Sequence, residues 1–231
     1  MKVALLAPLP PLQNGIADYA QAWMSAMREV GVDVVVPPST PAGAWDCEAE
    51  GFWQDVDLVH AELGGGRGPE FVALEQLRQR WPRLPLTATV HDPERLIWRA
   101  PDRPQGLLQR LSSLPRPVPQ ALTLLRDHST LARERHVSAQ LNALVTLTAT
   151  GAECLTRRMR IDASKVHFIA HGNHVLVPAA VPSDDRLRLL YFGFIYPGKG
   201  IEDLLNALGI VRQARPGSAH SIDPLSPCQG R

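Results

Sequence analysis

Residues 2–27 read "KVALLAPLPPLQNGIADYAQAWMSAM": a short apolar run, a proline-rich loop with one glycine, and a run whose apolar residues recur at spacings of three and four. The first piece predicts a strand and the last a helix starting near Asp18, with Ile16, Tyr19, Ala20, Trp23 and Met27 turned toward a sheet. The glycine at the join, Gly15, lets backbone approach a ligand closely, and the helix N-terminus behind it supplies amide donors and partial positive charge suited to phosphate. One glycine is not a dinucleotide fingerprint, so a plain tight turn is an equal alternative at this point.

The same alternation continues outward. "VDVVV", "VDLVHAEL", "LTATV", "NALVTLT" and "KVHFIA" read as further strands, with helices beginning near Glu70, Val118 and Ala149 between them. Short apolar runs separated by amphipathic ones predict an α/β fold, a Rossmann-like parallel sheet with flanking helices, over residues 1–177. The proline-bearing "VPAAVPSDDR" predicts a linker over 178–186. Residues 186–208, "RLRLLYFGFIYPGKGIEDLLNAL", then open a second Rossmann-like domain with its first strand, loop and helix, assigned to 187–214. The rest, 215–231, lacks the periodicity of either a helix or a strand and reads as an irregular tail.

Composition sets outer bounds. The 231 residues are 45% hydrophobic and 20% charged with a formal net charge of +1, an ordinary globular composition with no bulk field to attract nucleic acid. Cys47, Cys154 and Cys228 are scattered, which argues against a disulfide framework or a cysteine zinc site and fits a reducing compartment. The apolar start breaks at Pro8, too early for a signal peptide, and no run approaches the roughly 20 apolar residues of a membrane span. A cytoplasmic protein is expected. Peripheral contact with the inner face of a membrane stays open, because the stretch 92–120 carries Arg95, Arg99, Arg103, Arg110 and Arg116 in a long proline-rich loop.

Several residues stand where chemistry is expected. "TATVHD" puts His91 and Asp92 at the carboxyl end of a strand, the side on which open α/β sheets bind ligands, and a histidine there orients a hydroxyl or donates to a phosphate. "GGGRG" at 64–68 is either an anion cradle or a flexible connection. His171 and His174 in "HGNH" lack a carboxylate partner, so a structural or ligand-gating loop is favoured over a metal site. In the closing segment Gly193 ends a strand, and Gly198 and Gly200 flank Lys199 at a helix start, where a lysine and backbone amides neutralise a diphosphate.

Taken in order, "PLPPLQNGIADY", "TATVHD", "NALVTLTATGAECL", "KVHFIAHGNH" and "YFGFIYPGKGIEDLLNAL" resemble the family 4 glycosyltransferases, over roughly residues 2–208. The resemblance implies the GT-B fold, two Rossmann-like domains with the site between them, and transfer of a sugar with retention from a nucleoside-diphosphate donor to a carbohydrate or lipid-linked acceptor. It implies no bound metal and no cofactor, the nucleotide-sugar being a substrate. It makes His91 the histidine near the transferred sugar. Gly15, Gly193, Lys199 and Gly200 become binders of the donor phosphates, and Asp18, Tyr19, Asp92 and Arg95 candidates on the acceptor side.

Two departures from the family pattern qualify these expectations. Phe194 and Tyr196 stand where family members commonly place an arginine beside the lysine, and the acidic E-x7-E motif of the second domain is missing. The expectation is therefore an incomplete form, cut short or read out of frame in its second domain and weakly active or inactive. A non-catalytic Rossmann-like binding module is the alternative. A nicotinamide-dependent oxidoreductase ranks below both, because "VDVVVPP" runs into prolines where an acidic residue would hold the ribose.

Overall fold

A computed structural model describes residues 1–64, 68–93, 115, 118, 128–172, 191 and 200–214 of the chain. The chain divides into two units, Met1–Val181 and Pro182–Arg231.

The first unit is built on six strands: β1 (Lys2–Leu6), β2 (Asp33–Val35), β3 (Leu58–Leu63), β4 (Leu86–Val90), β5 (Ala143–Thr146) and β6 (Val166–Phe168). They form one sheet in the order β2-β1-β3-β4-β5-β6, and every pairing is parallel. This is the Rossmann-like α/β arrangement, and each of the six apolar runs read from the sequence supplies one strand. Among the described residues the α-helices of this unit are α1 (Gly15–Glu29), a short α2 (Glu50–Trp53), α3 (Pro69–Arg80), α4 (His128–Gln140) and a short α5 (Ala149–Glu153), which runs on into a π-helical turn at Cys154–Arg158. Of the helix expected near Val118, residues 119–127 fall outside the described residues, and α4 lies in its later part.

Helix α1 begins at Gly15, three residues before its expected start, because Asn14 caps it: Asn14 Oδ1 accepts from Ala17 N–H at 2.8 Å. Its buried line is Ala17, Ala20 and Met24, with Trp23 and Met27 partly buried against the same cluster. The stripe drawn from the sequence thus lay off by part of a turn. Ala20 is in it, but Ile16 and Tyr19 stand at its margin, half-buried. Small Ala17 and Ala20 bring the helix close to the strands, and the larger Tyr19 and Trp23 lie beside the contact, where the sheet carries polar residues.

The two faces of the sheet differ in chemistry. One carries Ala4, Leu6, Val59, Ala61, Leu63, Leu86, Ala88, Val90 and Leu144 in one apolar core with Phe71, Leu74 and Leu77 of α3. The other, under α1, holds Leu5 of β1, Ala7 just past it and Val34 of β2. On β3 and β4, whose side chains alternate, this second face is filled by His60, Glu62, Thr87 and Thr89. Register sets His60 opposite Thr87 and Glu62 opposite Thr89. Parallel strands buried on both faces usually read as unbroken apolar runs, so this polar column is a departure from the rule.

The topology places a crevice. The chain runs from β1 outward to β2 at one edge and returns to β3 on the other side of β1, so strand order reverses between β1 and β3. Open α/β sheets take ligands outside the carboxyl ends of the strands at such a reversal. The first turn of α1 and the loop leaving β3 meet there: a Cβ built on Gly64 would lie 2.6 Å from Ile16 Cδ1, so a larger residue at 64 would have to push the end of that side chain aside.

In the second unit the described residues include one helix, α6 (Ile201–Ala214), with Glu202 and Asp203 in its first turn where they complement the helix dipole. Gly200 immediately before it has φ 77°, a left-handed conformation that favours glycine.

Candidate functional site

His91 follows the last residue of β4, and its backbone N–H donates to Leu63 O at 2.9 Å, which ties it to the end of β3. Its ring reaches back along the polar face, and Nε2 lies 2.8 Å from Glu62 Oε2. The Glu62 side chain is completely buried and that of His91 is 12% exposed, so the pair runs from the interior of the sheet to its mouth.

Two further imidazoles and two aromatic rings complete the cluster. His60, also buried, has Nε2 3.4 Å from Glu62 Oε1 and 2.9 Å from Thr89 Oγ1. Its Nδ1 is 2.9 Å from Thr87 Oγ1. The Thr87 hydroxyl spends its one proton on Val59 O at 3.1 Å, so it accepts from His60, and His60 Nδ1 carries a hydrogen. Trp23 of α1 stacks on the His60 ring with centroids 4.9 Å apart and planes 10° from parallel. Tyr19, one turn earlier on α1, meets the His91 ring edge to face at 4.8 Å and the His171 ring at 5.1 Å.

The electrostatics follow from these partners. Burial by itself would raise the Glu62 carboxyl, but hydrogen bonding and charge attraction from His60 and His91 outweigh it and hold the group below its ordinary 4.5. Glu62 is therefore a carboxylate at neutral pH. Tyr19 moves the other way: burial, then the Glu62 charge, raises its phenol, which stays a neutral donor.

Acid should expose the Glu62 contribution. A carboxyl depressed in the folded state stabilises the fold above its unfolded value, about 4.5, and that stability is lost as pH falls through the lower folded value. Denaturant unfolding of the parent and of Glu62→Gln at about pH 7 and about pH 4 should show the parent losing more stability across the interval. Equal losses would show that Glu62 is not depressed in the fold.

Of the residues singled out in the sequence, the structure brings His91 and Tyr19 into contact. Gly15 is exposed in the first turn of α1, with nothing within 4 Å of the position a Cβ would take, so nothing in its surroundings requires a glycine. Asp18 is exposed on the same turn, and Asp92 is exposed beyond His91. Arg95, Gly193 and Lys199 lie outside the described residues, as do His174 and most of the arginine-rich stretch 92–120. Gly200 belongs to the second unit.

Sequence reasoning missed Glu62, His60 and the place of His171. The available signal was the pattern "LVHAEL" beside "LTATVH": polar residues at every second position in two interior strands, which puts them all on one face. Among the described residues no group of three or more His, Cys, Asp or Glu could hold a metal ion, and no helix is long and apolar enough to cross a membrane. No family model matches this chain, and no curated protein matches it.

Proposed function

We propose that the chain is a glycosyltransferase of the GT-B type, moving a sugar from a nucleoside-diphosphate donor to a hydroxyl of a carbohydrate or lipid-linked acceptor, with Met1–Val181 as its acceptor-side unit. The observation that carries this reading is the position of His91: at the carboxyl end of β4, beside the β1–β3 reversal, with its ring held by Glu62 and Tyr19. An oriented imidazole next to a phenol suits a ligand rich in hydroxyls, since each can exchange hydrogen bonds with one. The first-turn amides of α1 lie after β1 at the same end of the sheet, where a helix N-terminus favours an anionic group such as a diphosphate.

Within this reading Gly15 admits the donor phosphates, and Asp18, Tyr19, Asp92 and Arg95 serve the acceptor. Gly193, Lys199 and Gly200 belong to the donor side, where a lysine would stabilise the charge that develops on the leaving nucleoside diphosphate. Retention, independence of bound metal and peripheral membrane contact are carried by the sequence resemblance and the arginine-rich stretch.

The purified chain should be incubated with uridine, guanosine and adenosine diphosphate sugars, with and without oligosaccharide or polyprenyl-phosphate-linked acceptors. Weak release of nucleoside diphosphate that depends on the acceptor is expected. Binding of an acceptor without release under any combination would replace this reading with a non-catalytic binding module. Neither binding nor release would remove both.

A further inference from the structure

Two imidazoles converge on the buried Glu62 carboxylate, and they differ in what they leave over. His60 has both nitrogens engaged inside the sheet, Nδ1 with Thr87 and Nε2 with Thr89, and Trp23 covers its ring. That makes it part of the packing. His91 spends Nε2 on Glu62, and among the described residues its Nδ1 has no hydrogen-bond partner.

An ionised carboxylate only accepts, so a 2.8 Å contact with it requires a hydrogen on His91 Nε2. In a neutral ring with Nε2 protonated, Nδ1 is the acceptor. The ring is also fixed: Glu62 holds one nitrogen, Tyr19 packs against the ring edge to face, and the backbone N–H is bonded to Leu63 O. Glu62 Oε1, by contrast, has no hydrogen bond within normal length, so the carboxylate's short contact is directed at His91.

We propose that Glu62 is a positioning residue, whose buried carboxylate holds His91 with Nε2 protonated and thereby leaves Nδ1 to accept a hydrogen bond from a ligand hydroxyl at the carboxyl end of the sheet. No proton needs to leave Glu62 for this. The carboxylate sets the ring's orientation and tautomer, and His91 is the group that touches the ligand. That the hydroxyl belongs to a sugar acceptor rests on the glycosyltransferase reading; the protonation pattern of the ring does not.

The test is proton NMR of the chain labelled with 15N-histidine. The parent should show an exchange-protected, far-downfield N–H on Nε2 of one ring, assigned to His91 by its loss in His91→Gln. Glu62→Gln, nearly isosteric but neutral, should move that resonance upfield, and Glu62→Leu should abolish it. If the leucine variant does not fold, the glutamine variant decides alone. In transfer assays the folded Glu62→Gln protein should lower kcat/KM on the order of a hundredfold, as for a misplaced catalytic group. A parent without this resonance, or one whose resonance is unmoved in Glu62→Gln, overturns the proposal. The two readings fail separately: the resonance without transfer from any donor removes the function and leaves the positioning role, whereas full transfer by Glu62→Gln with an unmoved resonance removes only the positioning role.

Discussion

Phe71→Ala is expected to lower the unfolding free energy by about 3–5 kcal/mol, the range for removing a buried aromatic ring from a core that collapses only in part. Phe71 is 1% exposed and lies on α3 in the apolar core that also takes Leu74, Leu77 and the inward residues of β3 and β4. Small residues line the strands beneath it, with Ala61 and Ala88 on the same face, so the ring fills space that no neighbour can fill without backbone movement. For a chain of this size each kcal/mol corresponds to roughly 2–4 °C, so the melting temperature should drop on the order of 10 °C. Val30→Ala, at a site 74% exposed, should change stability by less than about 0.5 kcal/mol. Urea unfolding followed by circular dichroism measures both. A Phe71→Ala loss under about 1 kcal/mol would mean that α3 is not seated on the sheet as described.

His91→Gln is expected to reduce acceptor-dependent transfer on the order of a hundredfold, since a ligand-facing ring is lost and the remaining side chain cannot hold the same geometry. The choice of glutamine matters. Removing the ring with alanine would leave the buried Glu62 carboxylate without its 2.8 Å donor, and an uncompensated buried charge costs about 3–5 kcal/mol, so lost activity would be confounded with lost fold. A glutamine amide can still donate to Glu62. The melting temperature of His91→Gln should therefore stay near that of the parent while transfer falls. Radiolabelled sugar transfer, read beside a thermal melt, checks both at once. Undiminished transfer in a folded His91→Gln protein would remove His91 from the catalytic role and require another residue at the mouth of the sheet.

The sequence by itself determined the sheet. Six apolar runs became six parallel strands, because a parallel sheet covered on both faces needs runs of that length and composition, and the pattern is local. The start of α1 was legible to within a turn, and the three-residue error came from Asn14, whose capping role depends on one side chain reaching Ala17 N–H. His91 and Gly15 were legible as residues at the mouth, since a residue just past a strand or just before a helix is placed there by chain order alone.

What only the tertiary structure decided is the company His91 keeps. Glu62 stands 29 residues earlier, on a neighbouring strand, and reads locally as one polar residue in "LVHAEL". Its significance depends on three things that no local pattern encodes: the order that sets β3 beside β4, the register that puts Glu62 opposite Thr89, and the face on which α1 lies. The 3.6-residue period turns Tyr19 toward the sheet but cannot say which ring it meets there. Ala17 and Ala20 are buried in the same helix, and the Tyr19 ring meets His91. A carboxylate can remain ionised inside a protein only where partners surround it, and those partners come together only when the strands assemble.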